Sequence, residues 1–146
     1  MEKIEQTSRL VKGEDLNHHK TLFAGKVALW VVECAFITAA GRLGHTNGLV
    51  CVGIHGLEMN QPVALGEILT LEGMVVHLGQ SSLTVAVWAK ARESDTLILQ
   101  AFVPFVAVDQ DGKPCPHGQG LPEANSLWES DLRQLAQKWQ SCRKTF

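Results

Sequence analysis

An α+β fold is predicted: a curved antiparallel sheet wrapped around one long apolar helix, with an amphipathic helix added at the C-terminus. Three observations predict it. The run from Leu22 to Ala40 is interrupted only by Lys26, Glu33 and Thr38, and glycine appears only near its ends, at Gly25 and Gly41. Four strand-like runs follow it with turn residues between them, and the last stretch repeats apolar residues at helical spacing. A sheet with one face on a helix and the other partly open is the α+β way to bury such elements.

The elements follow in order. Glu2 to Val11 reads as a first strand, in which Ile4, Gln6, Ser8 and Leu10 alternate weakly with polar neighbours. Gly13 to Lys20 is a loop, and Asn17, His18, His19 and Lys20 place polar side chains just ahead of the helix. The helix has no Pro and is apolar on nearly every face, a pattern that predicts burial. It approaches the length of a membrane span, but Lys26 and Glu33 inside it make that expensive. Gly44 to Gly48 ends it with turn chemistry.

Strands are expected at Leu49–Met59, Glu67–Leu78, Ser82–Ala91 and Thr96–Val108, joined through Gln61 to Gly66, Gly79-Gln80 and Glu93-Ser94-Asp95. Gly53, Gly56 and Gly73 inside these runs hint at bulges or close backbone approach. Asp109 to Pro114 is a tight turn closing the sheet. After a Pro/Gly-rich linker at 114–122, Trp128, Leu132, Leu135 and Trp139 form one apolar stripe of a helix from Glu123 to about Arg143. Acidic residues come early in it, while Lys138, Arg143 and Lys144 come late, as the helix dipole favours. The expected division is a body at 1–116 and a linker plus helix at 117–146, packed on the body or on a partner subunit.

At 146 residues the length suits one domain, and the net charge of -2 announces neither a nucleic-acid nor a membrane surface. Cys34, Cys51, Cys115 and Cys142 lie far apart without metal spacing, so free or buried thiols are expected, and no metal. The opening MEKIEQTSRLVKGED lacks the apolar core of a secretory signal, which predicts a soluble cytoplasmic protein. The sheet leaves an edge exposed, and a second copy is the natural cover.

Four separated motifs carry a resemblance. Asn17 to Gly25 (NHHKTLFAG) is similar to an N-x-x-G-T-L-F-G-G helix entry, and Met59 to Glu67 (MNQPVALGE) to F-x-x-P-V-x-x-G-D. Gly79 to Val85 (GQSSLTV) matches G-x-S-S-hydrophobic-x-V, and Phe102 to Pro114 resembles F-x-F-V-A-V-D-x-x-G-K-P. Over residues 10–116, in this order, the chain resembles the hotdog-fold acyl-CoA thioesterases of the acyl-CoA hydrolase type. The resemblance implies a hotdog fold, an acyl-CoA substrate, and hydrolysis to CoA and a carboxylic acid without a bound cofactor. It also implies a homodimer, extending to a hexamer built as a trimer of dimers, with the site at the dimer interface. The chain departs from the pattern at Lys20 and Ala24, where the family has glycine, and at Val32, where it carries an acid. Glu33 is one residue later, about 100° around the helix.

The chemistry can be stated from the residues. Unpaired N–H groups and the positive dipole end at the helix start, with Gly25 among them, can hold a carbonyl oxygen as charge develops. Glu33 in an apolar helix would be desolvated, and so a better base near neutral pH, or a nucleophile. Asn17 can orient water or the thioester. The resemblance puts Gly79, Ser81 and Ser82 along the pantetheine path; His18, which the family pattern does not require, is expected beside them as a substrate-binding residue. Each has a plain alternative: Glu33 paired to an Arg, Asn17 as a cap or loop residue, His18 and His19 facing solvent, the serines starting a strand. Trp30 and Trp88 read as core or as walls of an acyl channel. No G-x-S-x-G elbow is present. Two rival functions stay open: an acyl-CoA or acyl-carrier binding protein without turnover, and a hydratase or dehydratase using His55 or His77.

Overall fold

The computed structural model describes residues 2–91 and 96–142, apart from the Cys142 side chain. The expected Glu93-Ser94-Asp95 connector, and Arg143 and Lys144, lie outside these residues. The elements are β1 (Glu5–Leu10), a single 3-10 turn (Gly13–Asp15), α1 (Ala24–Leu43), β2 (Leu49–Cys51), β3 (His55–Met59), β4 (Ile68–Leu78), β5 (Ser82–Lys90), β6 (Leu97–Ala107) and α2 (Leu127–Cys142). All pairings are antiparallel in the order β1-β4-β5-β6-β2, with β3 also on β6.

Strand alternation builds two cores. Leu71, Val75, Leu83, Val85, Val87, Leu99, Ala101, Val103 and Phe105 point to the inner face, where Val27, Trp30, Val31, Cys34, Ala35 and Ala39 of α1 meet them. Met74, Val76, Ala86, Trp88 and Phe102 point the other way and are covered by Leu132, Ala136 and Trp139 of α2. α1 comes close to β4 at Gly73: a Cβ there would lie 2.4 Å from Thr38 Oγ1 and 3.3 Å from Cys34 Sγ. Gly56 has φ +61° where the β3–β6 register shifts, so both glycines do what their place in a strand suggested.

The structure corrects several expectations. α1 is not buried all round: the sheet covers one side, while Leu29 and Ile37 are 56% and 43% exposed. Leu49–Met59 is not one strand but β2 and β3, broken at Val52–Ile54. In β1 the alternating set Ile4, Gln6, Ser8 and Leu10 faces away from α1, with Ile4 under α2 and Leu10 53% exposed. Glu5, Thr7 and Arg9 face α1 instead. α2 starts at Leu127, four residues later than expected, because Ser126 Oγ accepts the Glu129 N–H at 3.1 Å while the Glu129 carboxylate accepts the Asn125 N–H at 3.2 Å. Its buried stripe is Glu129, Leu132 and Ala136, leaving Trp128 and Leu135 half exposed.

The 109–114 turn closes as expected. Asp109 Oδ1 accepts the N–H groups of Asp111 and Lys113, and Val108 bridges to Pro114. The linker is bonded to the body. His117 donates from Nε2 to Ser82 O at 2.9 Å, while its Nδ1 accepts the Gln119 N–H. Arg42 donates to Gln119 Oε1, to Gly120 O and to the buried Glu2 carboxylate.

Candidate active site

The loop before α1 is organised by Asn17. Its Oδ1 accepts the N–H groups of His19 (2.8 Å) and Thr21 (3.2 Å), and its Nδ2 donates to Thr21 Oγ1 (3.0 Å). Most of its hydrogen-bonding capacity therefore shapes the loop, and one Nδ2 hydrogen is left over. Lys20 sits at φ +66°, the left-handed conformation that glycine adopts most readily, at the position where the resembled family carries glycine. His18 and His19 are exposed, with ring centroids 3.9 Å apart.

The chain then enters α1 through Phe23, whose N–H is held by Asp15 O at 2.9 Å. No side chain caps this helix, and its first turn contains no acid. The N–H groups of Lys26 and Val27 both go to Phe23 O, so those of Ala24 and Gly25 have no partner among the described residues. Both residues are exposed. Gly25 is small for a reason: a Cβ would come 2.4 Å from the Phe23 ring. The result is a helix start with free donors and positive dipole, the arrangement that stabilises an oxyanion.

Beside it, a cleft of about 350 Å3 opens between β1 and α1, and Glu33 lines it. The expected desolvation is not what the structure shows in the single chain. The Glu33 side chain is 46% exposed and ion-paired with Arg9, because it lies on the side of α1 that the sheet does not cover. Two further residues here escaped the sequence reading. Asp15 is buried, 2% exposed, accepting the Lys12 N–H at 2.9 Å with Lys26 Nζ at 3.4 Å. The Lys12 N–H, helped by Lys26 and opposed by burial, holds this carboxyl below its ordinary value. Arg9 is the other, its guanidinium carbon 5.7 Å from the centre of the Trp30 ring. A charged residue in an alternating strand gave little sign of which side it faces.

Gly79, Ser81 and Ser82 form a closed turn at the opposite end of the molecule. Gly79 N–H donates to Ser82 O at 2.9 Å, Ser81 O accepts the Ala107 N–H, and His117 fastens the turn to the linker. β4 begins with Ile68 opposite Leu10 and passes Glu5 at Gly73, beneath Thr38 of α1. The turn beyond Leu78 thus lies past the C-terminal half of α1. Twenty residues of α-helix span about 30 Å. One chain therefore brings Asn17 and Gly25 to one end, sets Glu33 near the middle of α1, about 12 Å beyond Gly25 along the helix, and leaves Gly79, Ser81 and Ser82 at the other end. Between them an open apolar groove of about 560 Å3 runs past Phe36, Ile37, Ala40 and Gly41. A separate cleft of about 440 Å3 by Gln61, Glu67 and Lys90 holds none of these residues.

The remaining aromatic and histidine candidates fall elsewhere. Trp30 is buried on the inner face, but Trp88 lies on the outer face against Trp128 and lines no channel at α1. His55 stacks on Trp139 of α2 at 5.6 Å, on the face away from α1. His77 is half-buried near Gly79, and burial lowers its pKa. Cys34, Cys51 and Cys115 are free thiols. Among the described residues no three His, Cys, Asp or Glu side chains are grouped to hold a metal.

A curled antiparallel sheet with its long helix on the inner face and a further helix at the C-terminus is the hotdog fold. The chain belongs to the thioesterase superfamily, whose family model matches residues 19–98. It is 31% identical over 125 residues to an uncharacterized acyl-CoA thioester hydrolase of Bacillus subtilis, covering 83% of this chain and 71% of that protein. Among solved structures it superposes on an acyl-CoA hydrolase from Staphylococcus aureus in complex with butyryl coenzyme A, coenzyme A and coenzyme A disulfide. That match has TM-score 0.82 and 28% identity over 97% of this chain and 86% of the other. An apo-hexameric acyl-CoA thioesterase gives TM-score 0.81 and 32% identity over 97% and 91%.

Proposed function

We propose that this protein hydrolyses an acyl-CoA thioester to free CoA and a carboxylic acid, in the cytoplasm, at a site that two copies of the chain complete. The observation that carries this reading is the open start of α1, with unpartnered amides at Ala24 and Gly25 next to the cleft that Glu33 lines. In this scheme the thioester carbonyl oxygen accepts those N–H groups. Glu33 lies about 12 Å along the same helix from Gly25, so it is the second copy's Glu33 that takes a proton from a water molecule as the water oxygen attacks the carbonyl carbon. The C–S bond then breaks, and the proton passes to the departing CoA sulfur. The reading calls for no cofactor beyond the CoA of the substrate.

The need for a second copy is supported by the distance between the candidate groups and by the exposed apolar side of α1. The short edge strand β2 adds to it, with Val50, Val52 and Ile54 each about two-fifths exposed nearby. A second chain laid against α1 would bring one copy's Gly79–Ser82 turn toward the other's helix start, with the groove by Phe36 and Ile37 available to an acyl group. A dimer is the minimal unit, and a hexamer built as a trimer of dimers is the larger assembly proposed.

Free-thiol release from short, long and aromatic acyl-CoAs tests this, with wild type beside Glu33→Gln. Turnover that falls at least about a hundredfold in the variant is the expected result for loss of a general base. Turnover indifferent to the change would move the base elsewhere. One observation favours a second reading, acyl-CoA binding without turnover: Val32 sits where the resembled family carries its acid, while Glu33 is already paired. CoA binding with no thiol release from any substrate would establish that reading instead.

A further inference from the structure

The cleft between β1 and α1 holds six charged side chains: Arg9 from β1, Lys12, Glu14 and Asp15 around the 3-10 turn, and Lys26 and Glu33 from α1. These charges are already sorted. Lys12 Nζ lies 3.1 Å from Glu14, and Lys26 Nζ lies 3.4 Å from Asp15. Arg9 is the cation left for Glu33, and its guanidinium meets that carboxylate directly. Its own freedom is limited from two sides. The Arg9 backbone is locked in register opposite Leu69, and its guanidinium lies over Trp30, which is itself only 4% exposed. A permanently charged fork is thus aimed by strand and ring at the Glu33 carboxylate.

We infer that Arg9 is a positioning residue for the hydrolysis proposed above, fixing the orientation of the Glu33 carboxylate at the cleft. The inference rests on the reading of Glu33 as base. An opposite charge in contact favours the ionised carboxylate, and hydrogen bonds from a planar fork hold its orientation as well as its charge. The side chains are 37% and 46% exposed, so water screens the pair and its contribution to folding stability is small. Arg9 is therefore expected to reveal itself in turnover more than in the melting temperature.

The test is the pH profile of kcat for wild type, Arg9→Gln and Arg9→Lys, with Glu33→Gln as reference and melting curves as a check on folding. In Arg9→Gln the acid limb is expected to move up by no more than about half a pH unit, as suits a screened pair, and the plateau to fall about tenfold as the carboxylate loses its aim. Arg9→Lys should return the limb toward its wild-type place while leaving the plateau low, since Lys restores charge but not the fork. A plateau that keeps its wild-type height in Arg9→Gln, while Glu33→Gln is inactive, overturns the role of Arg9 and leaves the hydrolysis reading standing. Full turnover in Glu33→Gln removes both the base and its positioning. If wild type releases no thiol, the hydrolysis reading fails separately. Carbon NMR titration of the Glu33 carboxyl then decides for Arg9: a higher midpoint in Arg9→Gln supports the pairing role, and coincident curves refute it.

Discussion

Two helices pack on opposite faces of one sheet, and they are completed to different degrees. α2 has a side-chain cap at Ser126, and its buried Glu129 is held by Arg133 at 2.9 Å and by the Asn125 N–H. Its apolar side is spent on Met74, Val76, Ala86 and Trp88. α1 has no side-chain cap, leaves two amides without partners, and exposes Leu29 and Ile37. α2 too leaves the N–H groups of Leu127 and Trp128 without a partner among the described residues, and Trp128 and Leu135 half exposed. α1 differs in having no side chain over its start and in lining a charged cleft there, which leaves room for a ligand. Both faces carry tryptophans, and the outer one also carries a histidine, so residue type alone would not separate them. What separates them is the cap: a side chain closes over the start of α2 and none over that of α1.

The largest expected effect lies where α1 meets the sheet. Gly73→Ala would drive a Cβ to 2.4 Å from Thr38 Oγ1, and Thr38 is already fixed by its 2.8 Å bond to Cys34 O. Overpacking of this kind costs about 3 kcal/mol, which for a chain of this size lowers Tm by roughly 8 °C. Adding Thr38→Ala removes the colliding oxygen and should recover most of the loss. Urea or thermal unfolding of the single and double variants measures it. A Gly73→Ala protein as stable as wild type would show that α1 lifts from the sheet without cost, and the contrast between the helices would lose its physical basis.

That contact also marks how far the sequence could be read. The apolar run of α1 and the alternation of β4 to β6 carry their own period, so the layers were legible, and the four motifs placed the chain among hotdog proteins. Glycines 56 and 73 were recognisable as irregular points because nothing else explains glycine in a strand. What composition does not contain is which side of a helix a sheet will cover, so the exposed flank of α1 could not be read. β1 was ambiguous for a related reason. Its weak alternation marked a strand but not which set faces the helix; the inward positions are Glu5, Thr7 and Arg9, whose partners on α1 are more than twenty residues away. The start of α2 was a different kind of miss. Ser126 and Glu129 form a visible Ser-x-x-Glu cap signal, and reading it would have moved the helix start from Glu123 to Leu127.

That cap supplies a smaller effect on the other helix. Ser126→Ala removes the oxygen that accepts the Glu129 N–H and should cost about 1 kcal/mol, or roughly 3 °C in Tm. Thiol release by the folded protein should be unchanged, because α2 lies on the face away from Asn17, Gly25 and Glu33. Loss of turnover at full fold content would contradict the division of labour between the two faces.

The smallest effect tests whether the entry to α1 stores strain. Lys20 holds φ +66° within the loop that Asn17 organises, a conformation that costs an ordinary L-residue about 1–2 kcal/mol. Its backbone N–H is already used, donating to Asn17 O at 3.1 Å, and its side chain is exposed. Lys20→Gly relieves the steric cost but gives the unfolded chain more freedom to lose, which returns about half of the gain. The net expectation is a stabilisation of about 0.5 kcal/mol, detectable as a small rise in the urea midpoint with the slope unchanged. A fall in stability would mean that the Lys20 side chain does more for the loop than its exposure suggests. A rise in stability accompanied by slower thiol release would be the more telling result, because it would tie the strained turn to the placement of the free amides at Ala24 and Gly25.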